Sequence, residues 1–278
     1  MELQQNPLYF GYIRKLKWQT SRLSAGTLIW RRFPFGGLAK FQRSRKLPAV
    51  TETVTVLKSL GIKNLAAEPD NCVTQDDFDN FVAGLRSQGV RMNRDPFLPT
   101  KSTVVDLNRT EAEIFSGFSP AKRRNIRKAV KNGVSVRQSG SISDFIRIKA
   151  RSAGMLGSLT TYGLSEIYEV MGPRRTAILL AGIPRGPRLL TVAGVFIITV
   201  APRSYYWVAG SIRQGKQAAA PSLLAWEAIR IAKSRGCRIF DFVGVWDERI
   251  PRRNRNWLGF TRFKEGFGGT DIYYPVVR

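Results

Sequence analysis

Apolar residues recur along the chain in two rhythms, one helical and one alternating. Val50, Val54, Leu57 and Leu60 return every three or four positions, so residues 48–60 are predicted as a helix with these side chains on one face. Asn6 and Pro7 form a cap and a first helical position, opening a helix to about residue 15. Thr74 opens another over 75–86. Strand-like stretches fall at 18–23, 27–33 and 38–42, with Gly36 and Gly37 as the turn between the last two, then at 62–67 and just beyond Gly89. After residue 100 the pattern predicts strands at 102–106, 134–137, 176–183, 188–200 and 203–209. Helices are predicted at 110–117, 120–131, 142–155 and 164–171. The chain ends with a helix (221–235), a strand (238–244), a basic loop (249–256) and a glycine-rich run (259–269) holding Lys264 after Phe263.

The two halves share a rough order of elements without a strict repeat. A connector containing Pro96 and Pro99 separates them, so domains of 1–99 and 100–278 are expected. The class is α+β, with a mixed, largely antiparallel sheet flanked by helices in each half. No apolar run is long enough to cross a bilayer, the longest (189–201) being β-branched, and the N-terminus lacks a signal-type apolar core. A cytoplasmic protein is expected, in solution or at the inner face of the plasma membrane.

Charge changes this picture more than any other property. Lys and Arg number 45 against 20 Asp and Glu, a formal charge of +25 in 278 residues. Such an excess points to a polyanionic partner: RNA, nucleotide phosphates or an anionic membrane surface. Cys72 and Cys237 lie too far apart for a zinc pattern, and Cys237 at a strand start is expected to be a small buried hydrophobe. The chain has no histidine. That excludes Ser-His-Asp and Cys-His catalysis, histidine-ligated zinc and a histidine base, leaving an activated substrate or Lys, Asp, Glu, Tyr and backbone groups.

Three places can carry chemistry. On the helix at 120–131, Arg123, Arg124, Arg127, Lys128 and Lys131 fall within an arc of about 140°, with Ile126, Ala129 and Val130 opposite. An unmixed cationic face suits phosphate contact, although many charge runs are only solvated surface. Arg252, Arg253 and Arg255 precede Trp257 in a loop, a pairing suited to phosphate and base or ribose contact. Asp241 interrupts the apolar strand Ile239 to Val243 and reads either as a site residue or as a buried acceptor for loop amides; Glu68 carries the same ambiguity. Neither a P-loop nor a dinucleotide fingerprint is present, and the acyl-coenzyme A loop of ordinary N-acetyltransferases fails at 212–217.

An ordered series of short motifs resembles the Fem family of aminoacyl-tRNA-dependent peptidyltransferases, which build peptidoglycan cross-bridges. It comprises Glu68 to Asp70, 102–107 (STVVDL), 119–128 (SPAKRRNIRK), 133–136 (GVSV), 207–211 (WVAGS), 223–226 (LLAW), 240–244 (FDFVG) and 263–268 (FKEGFG). The resemblance implies two acetyltransferase-like (GNAT) domains. It implies transfer of an amino acid from aminoacyl-tRNA, as co-substrate, to a stem-peptide amine of a lipid-linked or UDP-linked peptidoglycan precursor. Because the ester is already activated, no other cofactor and no metal is implied. Lys264 and the backbone of Phe263 would lie at the transfer centre, with Asp241 as a further catalytic candidate beside them. Arg14, Thr160, Tyr162, Tyr206 and Trp207 would contact the precursor, and the cations of 123–128 and 252–255 with Trp257 would hold the tRNA. The family's second-domain arginine is replaced around Thr160 to Tyr162, which makes a lipid-linked acceptor easier to accommodate. A monomer is expected, with peripheral contact to an anionic membrane. The alternatives are a GNAT-type N-acyltransferase with a thioester donor, and a non-catalytic RNA-binding protein.

Overall fold

The computed structural model describes residues 2–34 and 36–278. Its contacts divide the chain into two compact units, Met1–Lys101 with Ile272–Arg278, and Ser102–Asp271. The last seven residues therefore belong to the first unit and not, as a cut at residue 99 supposes, to the second. Side chain and backbone of the tail hold it there: Gln75 exchanges two hydrogen bonds with the backbone of Val276 (2.9 and 3.1 Å), and the Tyr274 amide donates to the Thr100 carbonyl (2.9 Å).

The first unit contains α1 (Pro7–Lys15), β1 (Gln19–Leu23), β2 (Gly26–Phe33), β3 (Gly36–Gln42), α2 (Val50–Ser59), β4 (Asn64–Glu68), α3 (Gln75–Ser87) and β5 (Arg91–Met92). Asn6 caps α1 by accepting from the Leu8 amide, and Thr74 caps α3 by accepting from the Asp77 amide. The sheet order is β1-β2-β3-β4-β5, antiparallel from β1 to β3 and parallel from β3 to β5. Gly36 and Gly37, predicted as a turn, are the first residues of β3 and pair with Phe33 and Arg32. Phe78, Val82 and Leu85 of α3 close the core over Leu28, Ala39, Phe41 and Leu65.

The second unit contains β6 (Lys101–Asp106), α4 (Glu111–Ser116), α5 (Pro120–Lys131), β7 (Ser135–Ser139), α6 (Ile142–Ala153), α7 (Gly157–Thr161), α8 (Leu164–Met171), β8 (Thr176–Arg185), β9 (Arg188–Val200), β10 (Arg203–Ser211), α9 (Arg213–Gln217), α10 (Ala220–Ser234), β11 (Ile239–Asp241), α11 (Leu258–Glu265) and β12 (Thr270–Tyr273). The sheet order is β12-β6-β11-β10-β9-β8-β7. β9 is nearly all apolar because it is covered twice. Phe196 meets Phe145 of α6 on one face, whereas Ala193, Val195 and Ile197 join Ala225, Ala228 and Ala232 of α10 on the other. Cys237 is buried in this core.

β10 and β11 pair in parallel over a short stretch, Arg203 to Tyr205 against Ile239 to Asp241. β10 runs on to Ser211, while left-handed backbone at Val243 (φ 49°) and Gly244 (φ 83°) turns the other segment away. The strand predicted to reach residue 244 therefore stops at Asp241.

Candidate functional site

Lys264 lies in the last turn of α11 and is not a surface lysine; only 9% of it is exposed. Its ammonium donates to the carbonyls of Val243 (2.9 Å) and Gly244 (2.6 Å), the two residues that turn the chain away from β10. An ammonium has three hydrogens, and the third has no hydrogen-bond partner among the described residues. The Phe260 ring lies 5.3 Å away. Burial lowers the amine from the ordinary lysine value to about 8, opposed by the nearby Asp241 carboxylate. The side chain is thus a fixed donor that can exchange a proton near neutral pH.

Asp241 holds the same turn from beneath. Its carboxylate accepts from the Ser102 hydroxyl, from the Val243 amide (2.8 Å) and from Arg203 Nη1 (3.1 Å), and the Ser102 oxygen accepts in turn from the Gly244 amide (3.3 Å). Of the two roles open to Asp241, the geometry shows a buried acceptor for loop amides. In the first unit, Glu68 likewise accepts from Gln42 and from the Leu98 amide (both 2.6 Å), and burial raises its carboxyl above the usual range.

The glycine run after Lys264 docks α5. The Ser119 amide donates to the Gly266 carbonyl (2.9 Å), while Ser119 caps α5 by accepting from the Lys122 amide. Gly268 has φ 69°, and a Cβ there would overlap the Gly117 carbonyl oxygen. Phe263 is half-buried, its ring 5.3 Å from that of Phe267 and 3.8 Å from the ammonium of Lys122. Lys122 is buried on the inner side of α5, with its amine lowered to about 8 by burial. Sequence reading passed over Lys122, although its spacing to Ile126 and Ala129 (i, i+4, i+7) marks it as a cation on the apolar face.

The other expected residues lie on several elements. Arg124, Arg127 and Lys128 are exposed on α5, and Arg123, half-buried, donates to the Ser116 carbonyl. Val130, expected on the packed face, is 61% exposed. Arg252 and Arg255 are exposed, Arg253 and Trp257 half-buried, and the Trp257 ring lies 5.4 Å from Phe260. That loop is anchored by Arg249, which donates through Nε (3.0 Å) and Nη2 (2.7 Å) to the buried carboxylate of Asp247. Arg14 is exposed in the last turn of α1. Thr160 donates to the Gly157 carbonyl (3.0 Å), Tyr162 is exposed and Trp207 half-buried.

Tyr206 requires a correction. It is 6% exposed, packed 5.4 Å from Phe242 and 6.1 Å from Phe240, with burial raising its hydroxyl. It fills the core of the second unit and presents no ring to a groove. One donor escaped sequence reading altogether: the indole N–H of Trp246 is buried and has no partner among the described residues, while its backbone amide donates to Thr261 of α11 (2.8 Å).

The family model described as FemAB family matches residues 182–274, the stretch holding β10, α10, the Val243–Gly244 turn and Lys264. Over that stretch the chain resembles the FemAB family. Three solved structures share the fold of this chain at low identity. The crystal structure of FemX aligns with TM-score 0.70 and 12% identity, over 99% of this chain and 92% of that one. The C-terminal domain (DUF2156) of a protein described as a lysylphosphatidylglycerol synthetase of Agrobacterium fabrum aligns with TM-score 0.62 and 11% identity, over 98% and 87%. A tandem GNAT protein from the clavulanic acid biosynthesis pathway aligns with TM-score 0.56 and 11% identity, over 90% and 76%. No curated protein matches this chain by sequence. The two mixed sheets flanked by helices are GNAT-like.

Proposed function

We propose that the chain moves an amino acid from aminoacyl-tRNA to the stem-peptide amine of a peptidoglycan precursor. The observation that carries this reading is Lys264: a buried ammonium, pinned by two backbone carbonyls, with one hydrogen left over and a pKa of about 8. In the proposed reaction the acceptor nitrogen bonds to the ester carbonyl carbon, and the tetrahedral intermediate collapses by breaking the bond to the ribose oxygen. That oxygen needs a proton and the attacking amine must lose one. Lys264 donates the first and recovers the second, so protons balance without a histidine. Asp241, Ser102 and Arg203 act as positioning residues, because they fix the turn whose carbonyls orient Lys264. The cations of α5 and of the 252–255 loop are assigned to tRNA phosphates.

The test supplies purified protein with charged tRNA and, separately, a lipid-linked and a UDP-linked muropeptide. Aminoacylated muropeptide is the expected product, and Lys264→Met is expected to slow its formation at least 100-fold with the protein still folded. Undiminished transfer by Lys264→Met would remove the proposed role, and acetyl transfer from acetyl-coenzyme A in place of aminoacyl transfer would overturn the donor.

A further inference from the structure

The segment joining α6 to α8 carries the densest group of exposed large apolar side chains among the described residues. Met155, Leu156, Leu159 and Tyr162 are exposed within eight positions, Leu159 by 73% and Tyr162 by 67%. Between them stand only glycine, serine and threonine. The segment is ordered: Gly157 of α7 packs against Ala150 of α6, and Thr160 and Thr161 both donate to the Gly157 carbonyl at 3.0 Å. It is a built surface with its apolar side chains turned outward, which soluble proteins rarely leave uncovered.

Next to it α6 bears Arg147 and Arg151, four residues apart and hence on one face. With Arg137 of β7 they line a cleft of about 130 Å³ that also contains Asp144. Asp144 lies 3.6 Å from Arg137 and 3.7 Å from Arg147, whereas Arg151 has no acidic partner among the described residues. Three guanidiniums facing one carboxylate leave room for an anion.

We propose that this face, α6 with the 154–162 segment, docks on an anionic bilayer. Met155, Leu156 and Leu159 enter the acyl boundary, Tyr162 sits at headgroup level, and the Arg137–Arg147–Arg151 cleft takes lipid phosphate. The charge of the chain selects this occupant over a basic or neutral apolar partner, since +25 draws it to an anionic surface. The inference does not depend on the transfer reaction, and vesicle binding requires neither tRNA nor precursor.

Charge alone would bring this protein to anionic vesicles, so the decisive variant keeps the charge. Leu156→Ser with Leu159→Ser is expected to weaken binding to phosphatidylcholine vesicles containing about a third phosphatidylglycerol at least tenfold in co-sedimentation. Arg147→Ser with Arg151→Ser is expected to weaken it comparably, and pure phosphatidylcholine is expected to bind poorly. As a check independent of variant stability, Leu159→Cys in a Cys72→Ser background is labelled with an environment-sensitive dye. Its emission should shift to the blue on anionic vesicles only; Cys237, the other thiol, is buried. Equal binding by the leucine pair, an unshifted dye, or no preference for anionic lipid overturns the proposal. So does a wild-type dimer that the leucine pair converts to a monomer, because a second copy would then be the occupant.

Discussion

A lysine buried at 9% exposure with two carbonyl partners leaves a thermodynamic signature separate from any activity. In the folded chain the Lys264 amine titrates at about 8, below the 10.5 of an ordinary lysine. Below about pH 8 it is charged in both folded and unfolded states, and the cost of burying the charge is fully present. Between the two values the unfolded chain holds the extra proton, so stability rises with pH, up to a ceiling of about 3 kcal/mol. Lys264→Met lacks this group. The wild type should therefore gain about 2 kcal/mol over the variant between pH 7 and pH 9.5, read from urea melts at the two pH values. A difference that stays constant, or that shrinks as pH rises, would show that Lys264 is not charged and desolvated at neutral pH.

The elements around Lys264 depend on glycine at one place where no other residue fits. At Gly268 an alanine would need left-handed backbone, costing about 1 kcal/mol, and its Cβ would also overlap backbone at Gly117. Gly268→Ala is expected to lose more than about 3 kcal/mol in denaturant melts, because the junction between α4 and α5 cannot yield as a flexible side chain would. A loss under 1 kcal/mol would mean that α5 is not held by this turn. The glycines themselves were legible in the sequence, as were most helices and strands, since caps at Asn6 and Thr74 and the alternation in β8 to β10 are local signals. Other features were not local. The burial of Lys264 arises from carbonyls about twenty residues earlier, and Val130 and Tyr206 deceived because helix-face and groove assignments depend on which faces neighbouring elements cover. Asp241 could be placed on a strand from sequence, but its role became visible only with Ser102 and Arg203 beside it.

At the scale of the whole molecule the question is whether +25 acts as a diffuse field or through particular surfaces. A field would bind any polyanion and respond alike to the loss of any exposed cations, whereas a surface that touches phosphates releases counterions in proportion to the contacts made. Replacing Arg123, Arg124, Arg127 and Lys128 of α5 by alanine lowers the formal charge by four, from +25 to +21. Replacing Lys58, Lys63, Arg91 and Arg94, all exposed in the first unit, lowers it equally. If α5 contacts tRNA phosphates, the slope of log affinity against log salt concentration should fall by about 2 to 3 in the first variant and by less than about 1 in the second. Filter binding across 50 to 300 mM salt measures both slopes. Equal changes would assign the charge to a general field and leave α5 without its proposed contacts, even if transfer itself were observed. A selective loss in the α5 variant would tie the glycine turn behind Lys264, which docks that helix through Ser119 and Gly266, to the same substrate as the lysine.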